Sequence, residues 1–296
     1  MGKSFALLIL ATAMSVPVYA QTRQQTNPQR ASSQANSGPF DNSMDMDLSS
    51  YLKWIENTGR SLHSYYKGYD AARDTLARFD VRAAGNPIFG VVPDGDGWMF
   101  GFGGYSNYQT FKLKYRIRVD RNGSVRDIET FPDSLKATGD MTFSAQAVKH
   151  AIHFLGTANL PKPHDDTIYR IAVLPPVGGN FMVYISFAQR DPEHIMFGME
   201  HELTYERVTG QVMVHRVLHR RQSRIQKIGP AGGMPYVRDM DIRYPTAVDV
   251  ALVMELDYDT AVATADGTFF IRRDGSVERL ADDHPLANPT IRTRSQ

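Results

Sequence analysis

Apolar and polar positions alternate along two stretches of the chain, Ile88 to Phe131 and Ile171 to His219, with glycine-bearing turns between the alternating runs. In the first, Val92-Pro93 leads through Asp94-Gly95-Asp96-Gly97 into Trp98-Met99-Phe100-Gly101-Phe102, and Tyr115 to Asp120 then reaches Asn122-Gly123. In the second, Leu174-Pro175 leads through Gly178-Gly179 into Phe181 to Phe187, and Leu203 to Arg207 then reaches Thr209-Gly210. A strand with one buried face alternates with period two, and tight hairpin turns need positive φ, so each stretch predicts four antiparallel strands. The shared order of signals suggests one unit written twice.

A helical period precedes each stretch. Leu48, Ile55, Leu62, Tyr69 and Leu76 recur at sevens, with Tyr51, Tyr65, Ala72 and Phe79 between them and Leu52 and Tyr66 widening the stripe. That pattern predicts a helix over Asp47 to Phe79 lying on a sheet rather than in a narrow coiled-coil seam, with Gly59 or Gly68 as the place where it would break. Ala147, Val148, Ala151, Ile152 and Leu155 predict a second helix over Ala145 to Leu155, capped by Ser144. Beyond His219, strand patterning resumes in Val248 to Leu256, Ala261 to Ala265 and Phe269 to Leu280, the first of these being apolar enough to form a buried helix instead.

The fold class expected is therefore α+β: two helix-plus-four-stranded antiparallel sheet units and a C-terminal β-meander. The order of elements is similar in layout to cystatin-like secreted modules, a likeness that carries no function. The expected organisation is a signal peptide over 1–20, a disordered leader over 21–43, the first unit over 44–140, the second over 141–222, and a linker, hairpins and tail over 223–296. The signal rests on Lys3, the apolar run Phe5 to Val16 and the small residues at Val18-Tyr19-Ala20, which place cleavage after Ala20. The apolar run is far shorter than the roughly 20 residues of a bilayer span, so the mature chain is expected to have none. The absence of cysteine means that stability in an oxidising compartment must come from packing.

Charge excludes one class of partner. Without Lys3 the 33 basic residues become 32, against 32 acidic, and a neutral chain lacks a general nucleic-acid footprint. The local run Arg216, Arg220, Arg221, Arg224 and Lys227 is a candidate anion patch, although Asp239, Asp241, Asp249, Glu255, Asp257 and Asp259 follow closely and can neutralise it.

The usual catalytic signatures are missing. There is no GxSxG, no Walker loop and no HExxH, because His201-Glu202 is followed by Leu203-Thr204-Tyr205. Gly101-Phe102-Gly103-Gly104 sits in a strand rather than opening a helix, which fits a bulge or close backbone approach, and Asp94-Gly95-Asp96-Gly97 fits an ordinary turn. One constellation remains. With Thr209-Gly210 as a two-residue turn, Thr204 faces His215, Glu202 faces Val217 and Glu200 faces His219. Met199, His201, Leu203 and Tyr205 then share the core face with Val212, Val214 and Leu218, and Glu200, Glu202, His215 and His219 gather on the opposite face. Two carboxylates and two imidazoles so placed are a solvated ladder by default and a zinc site as the sharper alternative. The first hairpin, read from Asn122-Gly123, pairs Ile117 with Ile128, Arg118 with Asp127 and Arg116 with Glu129. No cofactor is expected. The function expected is a secreted or periplasmic non-enzymatic binding module for an envelope or extracellular protein, a surface component or a lipid, through a sheet face or helix-sheet cleft. The alternative is a hydrolase or metal enzyme with a site assembled from distant residues.

Overall fold

The first long helical stripe forms one uninterrupted helix, α1 (Leu48–Phe79), started by Asp47, whose side chain accepts from the Ser50 amide at 3.0 Å. The computed structural model describes residues 46–80, 88–107, 110–158, 167–177, 179–189, 194–207, 210–220, 223–226 and 236–287; the expected signal peptide and leader lie outside them. After α1 come β1 (Ile88–Asp94), β2 (Gly97–Ser106), β3 (Thr110–Val119) and β4 (Val125–Lys136), then α2 (Gly139–Thr157). The second set is β5 (Thr167–Val177), β6 (Asn180–Gln189), β7 (His194–Phe197), β8 (His201–Glu206) and β9 (Val212–Val217). The chain closes with β10 (Ser223–Gln226), β11 (Tyr236–Arg238), α3 (Ala247–Leu256), β12 (Thr260–Thr264), β13 (Gly267–Ile271) and β14 (Val277–Arg279).

Two four-stranded antiparallel sheets follow α1 and α2, in the orders β1-β2-β3-β4 and β5-β6-β8-β9, as an α+β fold of helix-plus-sheet units requires. A short β7–β10 pair stands apart, and the C-terminal sheet, β11-β12-β13-β14, is mixed because β11 runs parallel to β12. The apolar run after Pro245 resolves as the buried helix α3, whose Thr246 and Asp249 form a reciprocal capping box.

Helix α1 is the hub. Its Tyr65 ring meets Trp98 and Phe100 of the first sheet edge-on, while the Tyr66 hydroxyl lies 2.8 Å from Ser186 Oγ of the second. The two interior glycines do not break it. A Cβ on Gly59 would lie 2.5 Å from Val250 Cβ of α3, and one on Gly68 would lie 3.2 Å from the Phe100 ring. Close approach of neighbours, rather than helix termination, accounts for both glycines. The same helix reaches the chain's end: Tyr51 donates to the Pro245 carbonyl, Arg60 to the Asp274 carbonyl, and Glu56 accepts from the Val277 amide.

Helix α2 begins at Gly139, not at Ala145, and Ser144 is not its cap. Ser144 Oγ instead accepts from the Val91 amide at 2.7 Å and donates to the Met141 carbonyl, so a hydroxyl inside the helix seals the outer edge of β1. Gly90 and Gly101 leave the room for this contact, since a Cβ on either would strike Met141. Gly103, next to a register shift after Phe102, has Lys112 O within 1.8 Å of where its Cβ would stand, as a bulge with close backbone approach demands.

Candidate functional site

The turn chemistry decides where the candidate side chains go. In the first hairpin the Asp120 amide donates to Ser124 O, which closes a three-residue loop; a bulge between Arg118 and Val119 then restores the expected pairs Arg118↔Asp127, Ile117↔Ile128 and Arg116↔Glu129. Arg116 and Glu129 form an ion pair, and Arg118 reaches Asp127 at 3.3 Å. In the second hairpin the Glu206 amide donates to Gln211 O, which closes a four-residue loop. That loop alone would keep the expected faces. A further register shift beside Thr204 and Tyr205 moves the ladder by one residue, so Glu202 pairs with Arg216 and Leu203 with His215. A one-residue slip exchanges faces.

The expected four-residue constellation is accordingly corrected. His215 joins His201 on the α2 side, with Nε2 3.0 Å from His201 Nδ1 and the Phe154 ring against it. Burial, followed by the charge of His215, pulls the His201 pKa down to about 4, and burial lowers that of His215. Glu202 turns to Arg216 at 3.2 Å; burial raises its pKa against the opposing pull of that guanidinium. Val212 and Val214, expected in the core, are exposed.

Glu200 and His219 do meet, but inside the protein rather than on a solvated face. They flank the β8–β9 ladder, where the Leu218 amide donates to Glu200 O. Two residues that the sequence did not single out for this site complete it: Asp239 after β11, and Asp249 in the first turn of α3. His219 Nδ1 lies 2.8 Å from Asp239 Oδ2, and its Nε2 lies 3.2 Å from Asp249 Oδ1 and 4.0 Å from Glu200 Oε2. Asp249 Oδ2 is taken by the backbone and hydroxyl of Thr246, and Glu200 Oε1 accepts from the Gly198 amide. The four side chains are 0 to 6 % exposed.

One imidazole thus faces three buried carboxylates. Burial alone would lower the His219 pKa, but the charges of Asp249 and Glu200, with the hydrogen bond that His219 donates to Asp239, hold it well above the usual histidine value. Burial, opposed by His219 and reinforced by Asp249, pushes the Glu200 pKa up to about 7. Glu200 Oε2 and Asp249 Oδ1 have no hydrogen-bond partner, and a proton on Glu200 removes one uncompensated charge. Among the described residues no three His, Cys, Asp or Glu side chains are placed to hold a metal ion. The cluster ties the β8–β9 hairpin, the segment after β11 and the start of α3 together.

Of the candidate anion patch, Arg216 is committed to Glu202 and Arg220 is exposed. Arg224 is placed only by its backbone, opposite Met196, while Arg221 and Lys227 lie outside the described residues. A groove of about 310 Å³ is bordered by Tyr236, Arg238, Met240, Thr268 and Asp282.

Among the described residues no helix is long and apolar enough to cross a membrane. Comparison with protein-family models, with curated proteins and with solved structures finds no match for the chain.

Proposed function

We propose that this chain is an exported, non-enzymatic binding module that takes an extended protein segment as an added strand on the free edge of β9. One observation carries the reading: among the described residues β9 is the last strand of its sheet, yet Val212, Met213, Val214 and Val217 are exposed on it. An apolar edge without proline is a template for strand addition, and the one arginine on β9, Arg216, is already paired with Glu202. The other edges of the four-stranded sheets carry the devices that prevent it. Among the described residues, β1 holds Pro93 and the Ser144 hydroxyl, β4 holds Pro132, β5 holds Pro175, β14 has its Val277 amide bound by Glu56, and β11 is three residues long.

The alternative, an enzyme with a site assembled from distant residues, would need the Glu200–His219 cluster to face a substrate. Its four groups are buried, which favours the binding reading. Export rests on the Lys3-to-Ala20 pattern, and mass spectrometry of the mature protein is expected to find Gln21 first. The binding reading is tested by placing a photo-crosslinking residue at Met213 and, as a control, at exposed Glu278, in cells that make the protein. A protein adduct at position 213 and not at 278 is expected. No adduct at 213, or equal adducts at both, overturns the reading.

A further inference from the structure

We infer that the segment received by β9 is β9 of a second copy, paired antiparallel about a two-fold axis at His215. The inference rests on the strand-addition reading above and names its partner. Because the Leu218 amide bonds to Glu200 O, the alternation of an antiparallel ladder turns the N–H and C=O of Arg216 and Val214 towards β8 and those of His215 and Val217 to the open side.

A two-fold axis at an edge, perpendicular to the sheet, preserves the two faces, so only residues of like parity can pair. Centring on His215 sets His215 against its own copy, where each donates to and accepts from the other. It also sets Val217 against Met213 at both ends, and Val214 against Arg216 on the opposite face. The apolar pairs join side chains that are 41 % and 59 % exposed in the single chain. Centring one residue later would set Arg216 against Arg216, which like charge disfavours.

Charge permits the contact. The strand holds no acidic residue; the Arg216 charge is met within its own subunit by Glu202, and the His215 imidazole, 3.0 Å from His201, favours its neutral form. Two such strands meet without an unpaired charge, whereas a strand rich in lysine or arginine would repel its copy. The extra residue, Met213, gives the strand its bend at the end where the copy's Val217 arrives.

The test uses the mature full chain in analytical ultracentrifugation. Wild type is expected as a concentration-dependent dimer. Met213→Lys and Val217→Glu, both at exposed positions, are each expected to raise the dimer dissociation constant at least about tenfold, with the circular dichroism and melting temperature of wild type. Mixed one to one, they are expected to restore a dimer, because the lysine introduced in one chain then faces the glutamate introduced in the other. A wild-type chain that stays monomeric overturns the second copy, as does a dimer that neither substitution weakens or that the mixture fails to restore. A monomer that still forms an adduct with a different protein at position 213 overturns this inference and leaves the strand-addition reading standing; a monomer without any adduct removes both.

Discussion

Replacing Glu200 by glutamine isolates the protonation that the buried cluster imposes. Glutamine has the shape of the protonated acid and keeps an acceptor for the Gly198 amide, but it cannot ionise. In the folded protein Glu200 gives up its proton near pH 7, against an ordinary value of 4.5. The folded state therefore holds a proton that the unfolded chain has lost between those two values, and the associated stability is complete below pH 4.5 and disappears as pH rises through 7. At about 1.4 kcal/mol per pH unit the difference amounts to about 3 kcal/mol. His219 acts in the same direction above its ordinary value of 6.5, since its folded pKa is raised; Asp249 and Asp239 supply that pull in both proteins, and the part due to Glu200 is lost in the variant. Urea unfolding from about pH 5 to about pH 8.5 is the assay. The stability of Glu200→Gln minus that of wild type should be below about 1 kcal/mol at about pH 5 and should rise towards about 3 kcal/mol by about pH 8. Two parallel curves would refute the reasoning, because they would mean that Glu200 titrates alike in both states.

Ser144→Ala should destabilise the protein by about 1–3 kcal/mol, the cost of leaving the buried Val91 amide without its acceptor, although alanine is the better helix former; urea unfolding that shows no loss would remove Ser144 from the edge of β1. Gly59→Ala should also destabilise, by about 1–3 kcal/mol, because its Cβ would overlap Val250. The intrinsic gain of alanine over glycine in a helix, about 1 kcal/mol, acts the other way, so a stabilised variant would show that α1 and α3 approach less closely.

The elements were legible in the sequence wherever periodicity and turn residues agreed. The stripe from Leu48 to Leu76 specified α1, and the alternation around Asn122-Gly123 specified β3 paired with β4. The two hairpins show where legibility stopped. In the first, the loop and its bulge displace the ladder in ways that cancel, so the expected pairs are observed although the loop has three residues. In the second, the loop is longer by two and the bulge adds one, which turns Val214 off the expected face and sends His215 to the α2 side, while Val212 stays opposite Tyr205 and is nonetheless exposed. Nothing in Val-Thr-Gly-Gln announces a bulge two residues later. The cluster around His219 was half visible: Glu200 and His219 share a hairpin, but Asp239 and Asp249 arrive from other elements, and no spacing along the chain brings them in. Thr246 and Asp249 did carry a local signal, the capping box, which would have favoured helix over strand for the run that follows. Ser144 misled because a serine ahead of an apolar helical run reads as a cap whether or not the helix has already begun.

The contacts of α1 with Pro245, Asp274 and Val277 bear on the order in which the molecule can be made. These bonds join residues 194 to 221 positions apart, so the helix that leaves the ribosome first finds its partners only when almost the whole chain has followed. Until then its tyrosine-rich stripe has one sheet, then two, but no α3 and no C-terminal strands to lie against, and non-local pairing of this kind folds slowly. A nascent chain in that condition remains threadable. Were the chain exported as proposed above, the long wait of its first helix would act as a timer that keeps the chain open until its last strands have been synthesised.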